Sequence, residues 1–161
     1  MLMIITSALA TAQQWTRVND SDILTTGIRN IIPQRYVAYE IDEETVRNIL
    51  WSAPYEKDQH LNASTTLLTV GLADGSTDVF KVVEYSMMES GLAVAYPAIK
   101  TFKGISVTDP YKRMRADWTE NGFRAIITGR SGTIYIDPYQ RDDLSHRIVY
   151  FKEDISGGAI L

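Results

Sequence analysis

The chain has 161 residues, 45% hydrophobic and 22% charged, with a net charge of −4. That length and balance describe one globular domain, or one domain with tails, large enough to bury a core. The acidic balance and the lack of a basic stripe disfavour nucleic-acid binding, and the absence of cysteine removes disulfides, thiolate nucleophiles and Cys-ligated zinc.

Met1 to Ala12 carries a short apolar run, Leu2-Met3-Ile4-Ile5 and Ala8-Leu9-Ala10, and Ala10-Thr11-Ala12 has the small-x-small form of a signal-peptidase site. Residues 1–12 are therefore expected to be a signal peptide, cut after Ala12, and the protein to be secreted. The run is too short to span a bilayer, which takes about 20 residues. No Lys or Arg precedes it, so the true start is expected upstream; the alternative is a buried N-terminal strand. Gln13 to Pro33 reads as a polar, weakly structured lead-in (13–31), after which a domain is expected over 32–154.

Within that domain, Arg35 to Ile41 alternates as a strand. Asp42 is a good N-cap, Glu43 and Glu44 suit the positive end of a helix, and Ile41 with Val46 fits a hydrophobic staple. Val46, Ile49, Leu50 and Ala53 then form one apolar stripe, which predicts a helix over 42–52, ended by Pro54 and lying across a sheet. Tyr55 to Ser64 is a polar connector containing the glycosylation pattern Asn62-Ala63-Ser64. Thr65–Leu72 and Thr77–Tyr85 read as strands joined by a turn with Asp74-Gly75. A short helix is expected near 88–96, with Leu92, Ala95 and Tyr96 facing inward and Pro97 stopping it. Ile99–Ile105 and Arg113–Trp118 are further strands. Asn121-Gly122 turns the second into a hairpin, Gly122 to Tyr139, with a turn at Gly129-Arg130-Ser131-Gly132. His146–Lys152 is the last strand. Residues 155–161 resemble the start of a linker, and the ending reads as a cut-off. The fold class expected is α+β: a twisted, mostly antiparallel sheet of about six to eight strands with one main and one short helix.

The chemistry-bearing residues form no reactive set. His60 and His146 lie in no HExxH. Asp142, Asp143 and His146 cluster in a turn, where acids usually face water, so metal binding is disfavoured. There is no nucleophile elbow and no phosphate-binding glycine loop, and a hairpin turn explains Ser131. Glu84, Glu89, Asp117 and Glu120 are numerous enough to meet by accident. Trp15, Trp51 and Trp118 are expected in or beside the core. Asp-Pro-Tyr-x-Arg occurs at Asp109–Arg113 and Asp137–Arg141, and both copies read as turn chemistry. No catalytic, cofactor or metal residue is assigned.

The stretches IIPQRYVAYEID, GLADGSTDVFKVVEYSMMESGLAVAYPAIKTFKG, GFRAIITGRSGTIYIDPYQRDD and HRIVYFKED, taken in order, resemble the N-terminal prodomain of secreted bacterial reprolysin-like zinc metalloproteases of the Bacteroidetes type. The resemblance runs from about Ile32 to Lys152, roughly three quarters of the chain. In that family a signal peptide precedes this region, and a linker and a catalytic domain with HExxHxxGxxH follow it. The resemblance implies a non-catalytic fragment with no cofactor. Its partner is the metalloprotease catalytic domain in cis, which it assists in folding and holds latent until cleaved away; no nucleic acid is involved, and no membrane beyond export. Without cysteine, a thiolate latch on zinc cannot operate, so inhibition would be steric. The turns Gly104 to Tyr111 and Ile136 to Asp143 are candidates for that contact. A stand-alone extracellular β-rich binding or adhesion module is the alternative, and a small hydrolase a third reading. The reading frame beyond Leu161 separates the first from the second.

Overall fold

The computed structural model describes residues 14–24, 26–87 and 90–155. Its strands are β1 (Trp15–Val18), β2 (Val37–Ile41), β3 (Leu67–Gly71), β4 (Thr77–Glu84), β5 (Lys100–Ser106), β6 (Arg113–Thr119), β7 (Gly122–Gly129), β8 (Gly132–Pro138) and β9 (His146–Phe151). They form one nine-stranded sheet in the order β1-β2-β9-β8-β7-β6-β5-β4-β3. Every pairing is antiparallel. From β3 to β9 the chain is a meander: short turns such as Asp74-Gly75 and Asn121-Gly122 return several strands beside the last, and a longer connection links Glu84 of β4 to Lys100 of β5. The α+β expectation fits, but the count exceeds the expected six to eight strands. The additional strand β1 lies in the stretch expected to be a weakly structured lead-in. Four residues, Trp-Thr-Arg-Val, are too short for a period-2 signal; burial of Trp15 in the core, at 1% exposure, holds the strand in place.

Alternation sorts the side chains into two faces. The row Val37, Val149, Ile136, Ala125, Ala116, Phe102 crosses six successive strands and points inward. Mixing small and large residues along such a row lets a curled sheet fill its own interior. The two edges come close to each other. Gln14 Oε1 accepts from Thr69 N at 3.2 Å, and Tyr39 Oη donates to Leu72 O at 2.8 Å. Gly71 is required at this seam, since a Cβ there would stand 2.9 Å from the Trp15 ring and 2.7 Å from that of Tyr39. The sheet is thus nearly a barrel, packed with apolar side chains.

Helix α1 (Glu43–Trp51) follows the expected pattern: Asp42 accepts from Thr45 N at 3.0 Å, and Val46 and Leu50 are fully buried in the interior cluster. Those side chains join the sheet's inward residues in one cluster, and the helix packs against β3 and β4. Its Trp51 ring meets Trp118 edge-on at 5.8 Å. Helix α2 (Ser90–Ala95) lies within the expected 88–96, of which 88 and 89 fall outside the described residues. The expectation that Leu92, Ala95 and Tyr96 face inward is wrong: all three are exposed. The strands and α1 already fill the interior, leaving a six-residue helix nothing apolar to cover. The expected signal peptide, 1–12, also lies outside the described residues, as does all of the expected linker except Ile155.

Residues 19–24 and 26–36 run over the outside of β2, β9 and β8 as a strap. Beneath them a second apolar cluster forms from Ile23, Ala38, Tyr139, Ile148 and Tyr150. Polar ties hold the strap down. Gln140 accepts from Gly27 N at 3.1 Å and donates to Leu24 O at 3.0 Å, and Arg35 pairs with Asp154 at 2.7 Å.

Candidate functional site

With one rung of each strand turned inward, the next faces out. On the open outer face that rung reads Thr101, Asp117, Arg124, Asp137 across β5 to β8. Arg124 stands opposite Asp137 because Ala125 pairs with Ile136. Adjacent strands are about 4.8 Å apart, so the two aspartate backbones are separated by roughly 10 Å with the arginine between them. The neighbouring outward rung is Lys103, Arg115, Ile126, Tyr135, Tyr150. Between the two rungs lies a cleft of about 280 Å³, walled at one end by Tyr85 and Met87.

The two carboxylates differ in their surroundings. Asp137 is almost wholly buried and fully engaged. Its Oδ1 accepts from Arg124 Nη2 at 3.0 Å and Nε at 3.1 Å, and its Oδ2 accepts from Tyr150 Oη at 2.7 Å. Burial, reinforced by the Asp137 charge and hydrogen bond, pushes the Tyr150 hydroxyl far above its ordinary pKa, so it is a fixed donor. Asp117, one strand away from Arg124 on the other side, is only partly covered, yet its Oδ1 is buried and accepts no hydrogen bond. Burial raises its carboxyl pKa; Arg124 opposes the rise and Asp137 adds to it. The arginine that could have satisfied Asp117 is committed to Asp137. Beside them, Arg115 donates to Tyr85 Oη at 3.3 Å. The arrangement therefore offers recognition: a preorganised floor with one acceptor still lacking a donor.

The wall of the cleft continues as residues 85–87 and 95–99. A hollow of about 220 Å³ shares Tyr85, Met87 and Thr101 with the cleft. It passes Pro97 and Ile99 to another of about 430 Å³, which reaches Arg47 and Trp118. Met87, Leu92, Val94 and Tyr96 are 69%, 51%, 82% and 55% exposed.

Of the residues singled out in the sequence, Asp117 and Asp137 line the cleft and the others go elsewhere. Asp143 caps the turn into β9, its Oδ1 accepting from Ser145 N and His146 N at 2.9 Å each, and its Oδ2 lies 2.9 Å from His146 Nδ1. It is largely buried, not facing water as acids in turns usually do. Among the described residues no group of three histidine or carboxylate side chains is placed to hold a metal. Glu84 pairs with Lys100 at 2.6 Å, Glu120 lines the hollow of about 430 Å³, and Glu89 lies outside the described residues. Asp117 alone of the four acids reaches the cleft. Asp109 does serve its turn, accepting from Tyr111 N at 2.9 Å. Asp137 does not: it sits inside β8, paired through its side chain, which corrects the reading of both Asp-Pro-Tyr copies as turns. Arg147, fully buried in β9, donates to the carbonyls of Phe123, Asp143 and His146 at 2.8–2.9 Å. Burial lowers its pKa to about 10, so it stays charged at neutral pH and braces the loop ahead of β9.

Sequence reasoning missed Arg124 and Tyr150 and took Asp137 for a turn residue. A signal existed: aspartate is depleted in strands, yet Asp117 and Asp137 both interrupt strand-forming runs, Arg-Ala-Asp-Trp and Tyr-Ile-Asp. The chain matches no family model, no curated protein and no solved structure.

Proposed function

We propose that this domain is a binding module whose open outer face docks a folded partner. We propose further that the partner is the catalytic domain of a secreted zinc metalloprotease in the same polypeptide, which the domain helps to fold and holds latent until it is cleaved away. The observation that carries the reading is the exposed apolar segment Met87, Leu92, Val94, Tyr96 beside a polar cleft. Monomeric surfaces rarely leave apolar side chains clustered in this way, and an apolar core with a polar flank is the anatomy of a protein interface. The interior is no rival site, because its side chains form a single packed cluster.

The resemblance over Ile32 to Lys152 supplies the identity of the partner. A domain that binds the native protease and not the unfolded chain stabilises it by RT ln(1 + [L]/Kd), and tethering raises the effective concentration. With no cysteine in the chain, latency is steric. The exposed apolar side chains of Met87, Leu92, Val94 and Tyr96 form the preferred contact. The turn Gly104 to Tyr111 adds exposed Val107 and Tyr111.

The test adds the purified domain to the catalytic domain of its own polypeptide. Proteolysis is expected to slow in a saturable way, and Leu92→Asp with Val94→Asp to weaken the effect at least tenfold. No slowing at any concentration would overturn the metalloprotease reading and leave a stand-alone extracellular binding or adhesion module.

A further inference from the structure

We propose that the cleft between the two outward rungs is an anchor site for one basic side chain, arginine or lysine, of the partner polypeptide. The inference rests on reading this face as the protein-binding surface and names what its cleft holds.

Size sets the first limit. The cleft, at about 280 Å³, has room for a single side chain. Its chemistry sets the second. The buried Asp117 Oδ1 accepts from no donor. A carboxylate taken out of water is matched best by a charged donor. The cleft's own arginines are directed elsewhere, Arg124 to Asp137 and Arg115 to Tyr85. The lining holds two arginines and two aspartates, and both arginines already face other acceptors, so the charge left without a partner is the Asp117 carboxylate, which a cation would complete along the rung.

The walls fit the stem of such a side chain. Met87 and Ile126 are exposed apolar groups on the rim, and the Tyr85 and Tyr135 rings line the same hollow. Lysine and arginine lay their methylene stems on surfaces of this kind, and a guanidinium also stacks on aromatic faces. Arginine is accordingly expected to bind more tightly than lysine.

The experiment titrates the folded domain with N-acetyl-arginine amide, its lysine counterpart and the uncharged citrulline isostere, following backbone amide resonances. Saturable shifts are expected at Ala116, Asp117, Arg124 and Ala125, with a dissociation constant on the order of millimolar for a single side chain. Citrulline is expected to bind at least tenfold more weakly. Asp117→Asn removes that preference. Met87→Ala, at a position 69% exposed where truncation costs the fold little, weakens arginine binding about threefold. Equal binding of citrulline, an unchanged preference in Asp117→Asn, or no saturable shift overturns the proposal. Those failures leave slowing of the protease intact. Conversely, probe binding without any slowing keeps the anchor site and removes the metalloprotease reading.

Discussion

The outer surface of the sheet is treated in two ways. Over β2, β9 and β8 it is sealed: the strap lies on Ile148, Tyr150 and Tyr139, and Gln140 and Asp154 tie it down. Over β5, β6 and β7 it is bare, and the outward positions carry Thr101, Asp117, Arg124 and Ile126. Asp137 stands on the boundary, bonded to Tyr150 on the sealed side and Arg124 on the open side. A sheet face needs cover only where its residues are apolar, so the difference locates the surface that is left for other molecules.

Substitutions separate the two faces most sharply. Ile148→Ala, beneath the strap, is expected to cost about 2–5 kcal/mol in denaturant unfolding, through lost burial and the cavity left behind. Ile126→Ala, on the open face, should stay within about 0.5 kcal/mol. Equal losses would mean that the open face is covered in solution. Arg147→Leu tests what supports the boundary. It strips the donors from the carbonyls of Phe123, Asp143 and His146 and should cost about 1–3 kcal/mol for each carbonyl left buried and unpaired. A smaller effect follows from Gln140→Ala, which removes both side-chain ties to the strap. A loss of about 1–3 kcal/mol is expected, with hydrogen exchange accelerating in the strap well before the rest of the sheet. Uniform acceleration would show that strap and barrel open as one unit.

Much of the barrel was legible because its strands obey period-2 alternation and its turns carry Asp-Gly and Asn-Gly. The hairpin of β7 and β8 and the helix capped by Asp42 fall where their local patterns place them. What was not legible depends on tertiary contact. Trp15 enters the core from a strand of four residues, and Leu92 and Tyr96 turn outward because nothing remains for them to cover. The cleft was half visible. Asp117 could be picked out as an acid, but its meaning depends on Arg124 lying one strand away and Asp137 two, a register that no single stretch encodes.

The finest comparison concerns Asp117 and the pH dependence of stability. Its carboxyl pKa is raised above its ordinary value of 3.8 by burial. Between those two values the folded state holds more protons than the unfolded chain, so this group's contribution is greatest below the ordinary value and declines as pH rises through the folded one. Asp42 and Asp74 act with the opposite sign, because hydrogen bonds from Thr45 and Ser76 lower their pKa values, so their stabilisation is lost as pH falls. The clean measurement is therefore the difference between the wild type and Asp117→Asn, in which those terms cancel. Thermal midpoints should coincide near pH 3 and then diverge, the variant becoming more stable by neutral pH. The gap should be on the order of 1–3 °C, held down because Asp117 is partly solvated. If the variant is less stable at neutral pH, the carboxylate has a partner in solution and its vacancy as an acceptor disappears. A variant that gains stability while losing the arginine probe would show that the aspartate is kept at a cost to the fold for the sake of binding.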